Sequence, residues 1–310
     1  MNKKVSIIIP AYNEEDTIPL IYEQLYSIFN SNNLDLNYEI IFIDDGSTDG
    51  TSMMIRQLKT KDKNVKGILL SRNFGHQAAI TAGMDYATGD FIISMDCDLQ
   101  HPPQKIMELF KYANEGYDIV YTIRKETGDI TLFKRISSKL FYWIMNHICD
   151  VNINENAADF RLITKKVQSV FKDNIRERNR FIRGLITWVG FKSIGIEYIV
   201  QKRVKGTSKY TFKKMFTLAF TGIVSFSTFP LKLGLYLGTL LGIFSLSYSI
   251  YALYMVLLTD KTVPGWASLF ILMSFLGAIQ CFLIGLIGLY ISFVFEEVKN
   301  RPIYLIDDYV

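Results

Sequence analysis

The stretch Tyr38-Glu39-Ile40-Ile41-Phe42-Ile43-Asp44-Asp45-Gly46-Ser47-Thr48-Asp49 carries an unbroken apolar run straight into two carboxylates and a glycine turn. Ile and Phe without polar alternation make a strand buried on both faces, as in a sheet covered by helices on either side. Three similar runs, Val5 to Ile9, Lys66 to Leu70 and Phe91 to Met95, are separated by helical patterns near Thr17 to Phe29, Gly50 to Thr60 and His76 to Ala87. Strands alternating with helices predict an α/β domain with a largely parallel sheet. Ligands of such sheets bind outside the carboxyl ends of the strands. Pro10 to Glu15, Asp44 to Ser47 and Asp96 to Gln100 each follow a strand directly, so they are expected around one crevice.

The rest of the chain is different in kind. Of 310 residues, 49% are hydrophobic and 21% charged, which excludes collagen-like and disordered classes. Only eleven charged residues lie after Tyr210. Leu233 to Thr259 and Thr262 to Phe295 contain no Asp, Glu, Lys, Arg or His. Each exceeds the ~20 residues needed to span a bilayer, and only Asp260, Lys261 and a Val-Pro-Gly turn separate them, which predicts a transmembrane hairpin. Residues 172–214 carry twelve Lys or Arg against three acids. The positive-inside rule puts that block, and with it both termini, on the cytoplasmic side of the plasma membrane.

The expected organisation is a cytoplasmic α/β domain at 1–210, a juxtamembrane helix at 211–231, two spans within 232–296 (about 233–259 and 266–295) and a cytoplasmic tail at 297–310. Thr131 to Ile148 reads either as an amphipathic helix in the headgroup layer or as a surface helix of the domain, and Met215 to Leu231 as an interfacial or buried helix. The apolar run at the N-terminus is too short for a secretory signal. Cys97, Cys149 and Cys281 are widely spaced, so neither a disulfide framework nor a zinc site is expected.

Asp44-Asp45-Gly46-Ser47 suits hydrogen bonding to a base or ribose, and equally a strand-to-helix turn with Asp49 as helix cap. Asp96, Asp98 and Gln100 alternate, so on an extended chain their oxygens share one side and suit a hard cation. Magnesium or manganese is preferred to zinc, since His101 and Cys97 have no second soft cluster beside them.

Four ordered motifs resemble the inverting family 2 glycosyltransferases of GT-A fold: Ile-Ile-Pro-Ala-Tyr-Asn-Glu-Glu at 8–15, Asp-Asp-Gly-Ser-Thr-Asp at 44–49, Ser-Arg-Asn-Phe-Gly-His-Gln at 71–77 and Met-Asp-Cys-Asp-Leu-Gln-His-Pro-Pro at 95–103. Within them, Asp-Phe-Arg-Leu at 159–162, Arg178 to Gly184, Trp188 to Phe191, Arg203 to Tyr210 and the exit at 297–302 look like the polyprenyl-phosphate glycosyltransferases. These include the bactoprenol glucosyltransferases and dolichol-phosphate mannose synthases. One departure is His101, where many bacterial relatives carry Asp.

The resemblance implies a nucleotide-sugar donor contacted by Pro10, Tyr12, Glu14, Asp45, Asp96 and Arg124, and a metal held by Asp98 and Gln100. Asp96, Asp98, Asp159 and Arg203 are the implied catalytic set, with Asp159 as base or acceptor-orienting carboxylate. A lipid phosphate with second pKa near ~6 is already dianionic at neutral pH. It needs cations rather than a base, and Arg124, Arg135, Arg203 and Lys209 are the candidates. Helical spacing would set Arg176, Arg180 and Arg183 on one face, toward anionic headgroups or toward water. Trp188 is expected to pack rather than stack on sugar. Glycines at 234, 238 and 242 and at 277, 285 and 288, with the resemblance, predict a homo-oligomer.

The expected reaction moves a hexose from a UDP-sugar to polyprenyl (undecaprenyl) phosphate, glucose first, with N-acetylglucosamine and GDP-mannose as alternatives. A processive synthase would bring more spans and a Gln-x-x-Arg-Trp motif. A transporter would mark its path with intramembrane charge, which these spans lack. No nucleic-acid partner is expected, because the basic block adjoins the membrane and suits lipid headgroups.

Overall fold

The computed structural model describes residues 3–31, 37–125, 157–199, 227–259 and 265–310. Its centre is an eight-stranded sheet. The chain runs β1 (Lys4–Ala11), α1 (Ile18–Ser31), β2 (Asn37–Asp44), α2 (Thr51–Lys61), β3 (Val65–Leu70), α3 (His76–Tyr86), β4 (Phe91–Ser94), α4 (Ile106–Asn114) and β5 (Ile119–Lys125). It continues through β6 (Ala157–Thr164), α5 (Lys165–Asp173), α6 (Ile182–Trp188), β7 (Ser193–Ile199), α7 (Phe229–Thr259), α8 (Trp266–Val298) and β8 (Ile306–Tyr309).

The strand order is β7-β5-β6-β4-β1-β2-β3-β8. Strands β4, β1, β2 and β3 are mutually parallel. Only β6 and β8 run against their neighbours. Because the order reverses at β1, a crevice opens there beyond the strand ends. Ala11 sits opposite Asp44, so β1 and β2 end level and their loops meet.

Alternate residues of the apolar runs face two separate cores. Ile7, Ile9, Ile40 and Phe42 pack with α1, α2 and α4. Ile8, Ile41 and Ile43 pack with α3, α5 and α6. All seven side chains are fully buried, each contributing ~1.5–3 kcal/mol. Helix α3 packs close on the sheet: a Cβ on Gly83 would lie 2.9 Å from both Ile8 and Ile43.

Helices α7 and α8 are 31 and 33 residues long. Each contains a stretch long and apolar enough to cross a membrane, Phe229–Tyr248 and Phe275–Val298, with no residue of the apolar window buried. Residues 297–310, read from sequence as a tail, instead finish α8 and return as β8 at the edge of the sheet.

Candidate active site

The loops at the carboxyl ends of the strands are tied to one another. Asn13 donates its backbone N–H to Ser47 Oγ at 2.9 Å and its Oδ1 accepts from Thr48 N at 2.8 Å. Glu14 N reaches Thr51 Oγ1 at 2.9 Å, and Glu15 Oε2 accepts from Gly50 N at 2.7 Å. Asp44 closes its own turn by accepting from Ser47 N. Asp45, only 3% exposed, accepts from Phe74 N at 2.7 Å and Gly75 N at 2.9 Å. Burial raises its carboxyl above the usual range despite those two amides. Gly46, at φ +66°, admits the Arg72–Asn73 backbone, which a Cβ would meet at 2.4 Å.

Beyond β4 the chain is not extended. Leu99 has φ +61° with its side chain buried, so the expected alternation of Asp96, Asp98 and Gln100 is replaced by a turn in which Gln100 N donates to Asp98 Oδ1 at 3.1 Å. A left-handed non-glycine residue costs ~1–3 kcal/mol and persists where its surroundings over-determine it. Cys97 faces inward to Thr17 Oγ1 at 3.3 Å, and burial pushes its thiol up to about 12. His101, wholly buried and stacked on Phe160 at 5.2 Å, accepts Asp96 N at Nδ1. Its Nε2 lies 3.6 Å from Asp96 Oδ2.

Because β6 is antiparallel to β4, its start lies at the same edge of the sheet. That brings Asp159 to Asp96. Arg161 Nη2 donates to Asp159 Oδ1 at 2.5 Å, while Arg183 binds both oxygens, Nε to Oδ1 at 3.1 Å and Nη2 to Oδ2 at 2.8 Å. His76 Nε2 stands 3.5 Å from Asp96 Oδ1 and 3.7 Å from Asp159 Oδ2. Burial alone would raise the Asp159 carboxyl, but Arg183, His76 and Arg161 hold it well below the usual range. So low a pKa makes a weak base and a lasting anion. On the far side, Arg124 Nε donates to Tyr198 OH at 3.1 Å.

The sequence of the family described as Glycosyl transferase family 2 matches residues 6–171. The chain belongs to glycosyl transferase family 2. Its relatives match nearly from end to end. The uncharacterized glycosyltransferase YkcC of Bacillus subtilis (strain 168) is 41% identical over 97% of this chain and 92% of its own. The SfII prophage-derived bactoprenol glucosyl transferase of Shigella flexneri is 37% identical over 98% and 97%. Among solved structures, glucosyl-3-phosphoglycerate synthase from Mycobacterium tuberculosis, in complex with Mn2+, UDP-glucose and phosphoglyceric acid, aligns at TM-score 0.50 and 15% identity. It covers 72% of this chain and 78% of that one, a likeness of fold. The protein is a glycosyltransferase with a mostly parallel, GT-A-like sheet and two apolar helices after it.

As a glycosyltransferase of this family, it gathers the expected Tyr12, Glu14, Asp96, Asp98, Gln100, Arg124 and Asp159 at one edge of the sheet, while Pro10 is buried within β1. Arg135, Arg203 and Lys209, the helix expected at 131–148, and residues 215–226 of the helix expected at 215–231 lie outside the described residues. Arg176, Arg180 and Arg183 do not share a helix face, because residues 174–181 are irregular. Arg176 pairs with Asp85. Arg180 is buried, bonding Thr81 Oγ1 and the carbonyls of Glu177 and Ile175, and only Arg183 joins the site. His76 and Arg161 were not singled out from sequence, although each lies inside a motif that carries the resemblance.

The donor set suits the expected metal. Asp98 and Gln100 offer oxygen, and the neighbouring thiol is turned away. Among the described residues no three His, Cys, Asp or Glu converge as a ready-made cage.

Proposed function

We propose that the protein transfers glucose, with inversion, from UDP-glucose to polyprenyl phosphate at the cytoplasmic membrane face, making a lipid-linked sugar donor for envelope glycosylation. The observation that carries this reading is how little chain separates the acidic array from the foot of a long apolar helix. Arg178 N donates to Glu297 Oε1 at the end of α8 at 2.6 Å, and Arg183, five residues on, grips Asp159. Five extended residues reach at most ~17–18 Å, within the scale of a lipid headgroup held at the membrane surface. The near full-length identity to bactoprenol glucosyl transferases supports the same acceptor class.

In this reading the nucleoside lies over Tyr12 and the interlocked β1 and β2 loops, and the hexose over Asp96. Mg2+ or Mn2+ held by Asp98 and Gln100 would neutralise charge on the departing diphosphate. Asp159 stays ionised and holds Arg183 and Arg161 in place. The acceptor phosphate, already dianionic, is aligned by cations, and with no proton to remove from the attacking oxygen a single displacement inverts the anomeric carbon. Arg124, Arg135, Arg203 and Lys209 are the residues proposed to receive it.

The test is the full chain, purified with lipid and incubated with polyprenyl phosphate, Mg2+ or Mn2+, and labelled UDP-glucose, UDP-N-acetylglucosamine and GDP-mannose. A labelled lipid from UDP-glucose is the expected result. Label from another donor would replace the sugar. No labelled lipid from any donor, in protein shown to bind UDP, would overturn the acceptor assignment.

A further inference from the structure

Segment 74–76 touches three carboxylates that reach it from three different strands. Phe74 N and Gly75 N hold Asp45 at the end of β2. His76 Nε2 lies between Asp96, after β4, and Asp159, on β6. Two carboxylates so close to one imidazole nitrogen repel each other unless a cation stands between them. Asp159 has Arg161 and Arg183 beside it. Among the described residues, the side chains within ion-pair distance of Asp96 are those of His76 and His101. His101 is wholly buried, and its Nδ1 already accepts the Asp96 backbone N–H.

The geometry points to His76 as a positioning residue that, as a cation, ties Asp96 to Asp159 and so sets the distance between the sugar side and the acceptor side of the site. The groups facing it are Asp45, Asp96 and Asp159 on the acidic side and Arg183 on the basic side. Desolvation, Arg183 and the N-terminus of α3 oppose the charge, while 43% of the side chain still faces solvent. The two carboxylates outweigh them and lift the imidazole above its ordinary 6.5. The bridge is therefore complete below that pH and is lost as pH rises through the folded-state value. A misplacement of ~1 Å between reacting groups can cost ~100-fold in rate, so loosening this tie is expected to appear in kcat.

This inference rests on the proposed transfer only for its kinetic arm. The first arm is NMR of the full chain in nanodiscs with isotope-labelled histidine, where just His76, His101 and His147 contribute and His76→Gln assigns the signal. The expected His76 pKa lies above 6.5 and falls in both Asp96→Asn and Asp159→Asn. A fall in only one variant, or in neither, overturns the bridge. In the second arm, His76→Gln, checked for an unchanged melting temperature, is expected to lower kcat by roughly 10–100-fold. The KM for nucleotide sugar should hold within about twofold, and the alkaline limb of the pH profile should vanish. A kcat loss with the wild-type alkaline limb intact would mark a merely structural role and overturn the inference. Absence of transfer by the wild type would sink the proposed function and leave the NMR arm standing.

Discussion

Arg183 meets Asp159 through two parallel hydrogen bonds, Nε to Oδ1 and Nη2 to Oδ2, and does so while 23% of its side chain still faces solvent. A planar fork matches a carboxylate in a way that an ammonium cannot. Arg183→Lys keeps the charge and loses the fork. The expected outcome is a kcat/KM loss of at least about tenfold, concentrated in the KM for polyprenyl phosphate. Steady-state kinetics against acceptor and donor separately check it; a change confined to donor KM would contradict it.

Asp98 closes a turn around the left-handed Leu99, and its carboxylate is one of two proposed metal ligands. Asp98→Asn can still accept from Gln100 N, so fold and melting temperature should hold. Its Mn2+-dependent affinity for UDP, read by calorimetry with and without EDTA, should drop by at least about tenfold. Full metal-dependent affinity in the variant would remove Asp98 from the role.

Glu39 sits at the opposite end of the sheet, bonded by Lys4 at 2.9 Å, Lys66 at 2.8 Å and Ser6 Oγ at 2.5 Å. Burial would raise its carboxyl, but Lys66, Ser6, Lys4 and the Thr88 amide together hold it down to about 2. The folded state therefore releases this proton more readily than the unfolded chain. The stabilisation is complete above about pH 4.5 and drains away as pH falls towards 2. Glu39→Gln is expected to cost on the order of 3 kcal/mol near neutrality and to lose much of its disadvantage near pH 2. Melting curves between those limits check the sign; a constant deficit would contradict it.

What the sequence made legible follows from local signals. Apolar runs buried on both faces announced β1 to β4, and the charge-free stretches announced α7 and α8 to within a few residues. The misreadings came where tertiary contacts override local pattern. Arg176, Arg180 and Arg183 have helical spacing, yet Arg180 turns back onto the carbonyls of its own loop and breaks the helix. Asp96, Asp98 and Gln100 alternate, yet Leu99 reverses the backbone to bury its side chain. His76 gave no sign of its own, because Asp159 is distant in sequence and meets it only when β6 enters the sheet antiparallel. Strand β8, Ile306-Asp307-Asp308-Tyr309, reads as a solvated tail, and the open edge of β3 makes it a strand.

That terminal strand allows a last prediction, about topology. Val310 exchanges backbone hydrogen bonds with Gly67 at 2.7 and 2.9 Å, and Ser71 N donates to Leu305 O at 3.0 Å. Tyr304 OH and Arg176 meet on Asp85, at the end of α3 away from His76. The Arg56–Asp308 pair is solvent-exposed on both sides, so water and salt screen it. The backbone ladder and packing of Val310 should therefore dominate: Arg56→Ala should shift melting little, and removal of residues 306–310 should lower it clearly. Because β8 belongs to the same sheet as β1, the two strands are expected on one side of a membrane. If α7 and α8 both cross the bilayer, a C-terminal tag and the catalytic domain are protected from external protease in intact cells together and exposed in inverted vesicles together. A tag cut in intact cells while the domain survives would mean that β8 is not paired with β3 in the membrane.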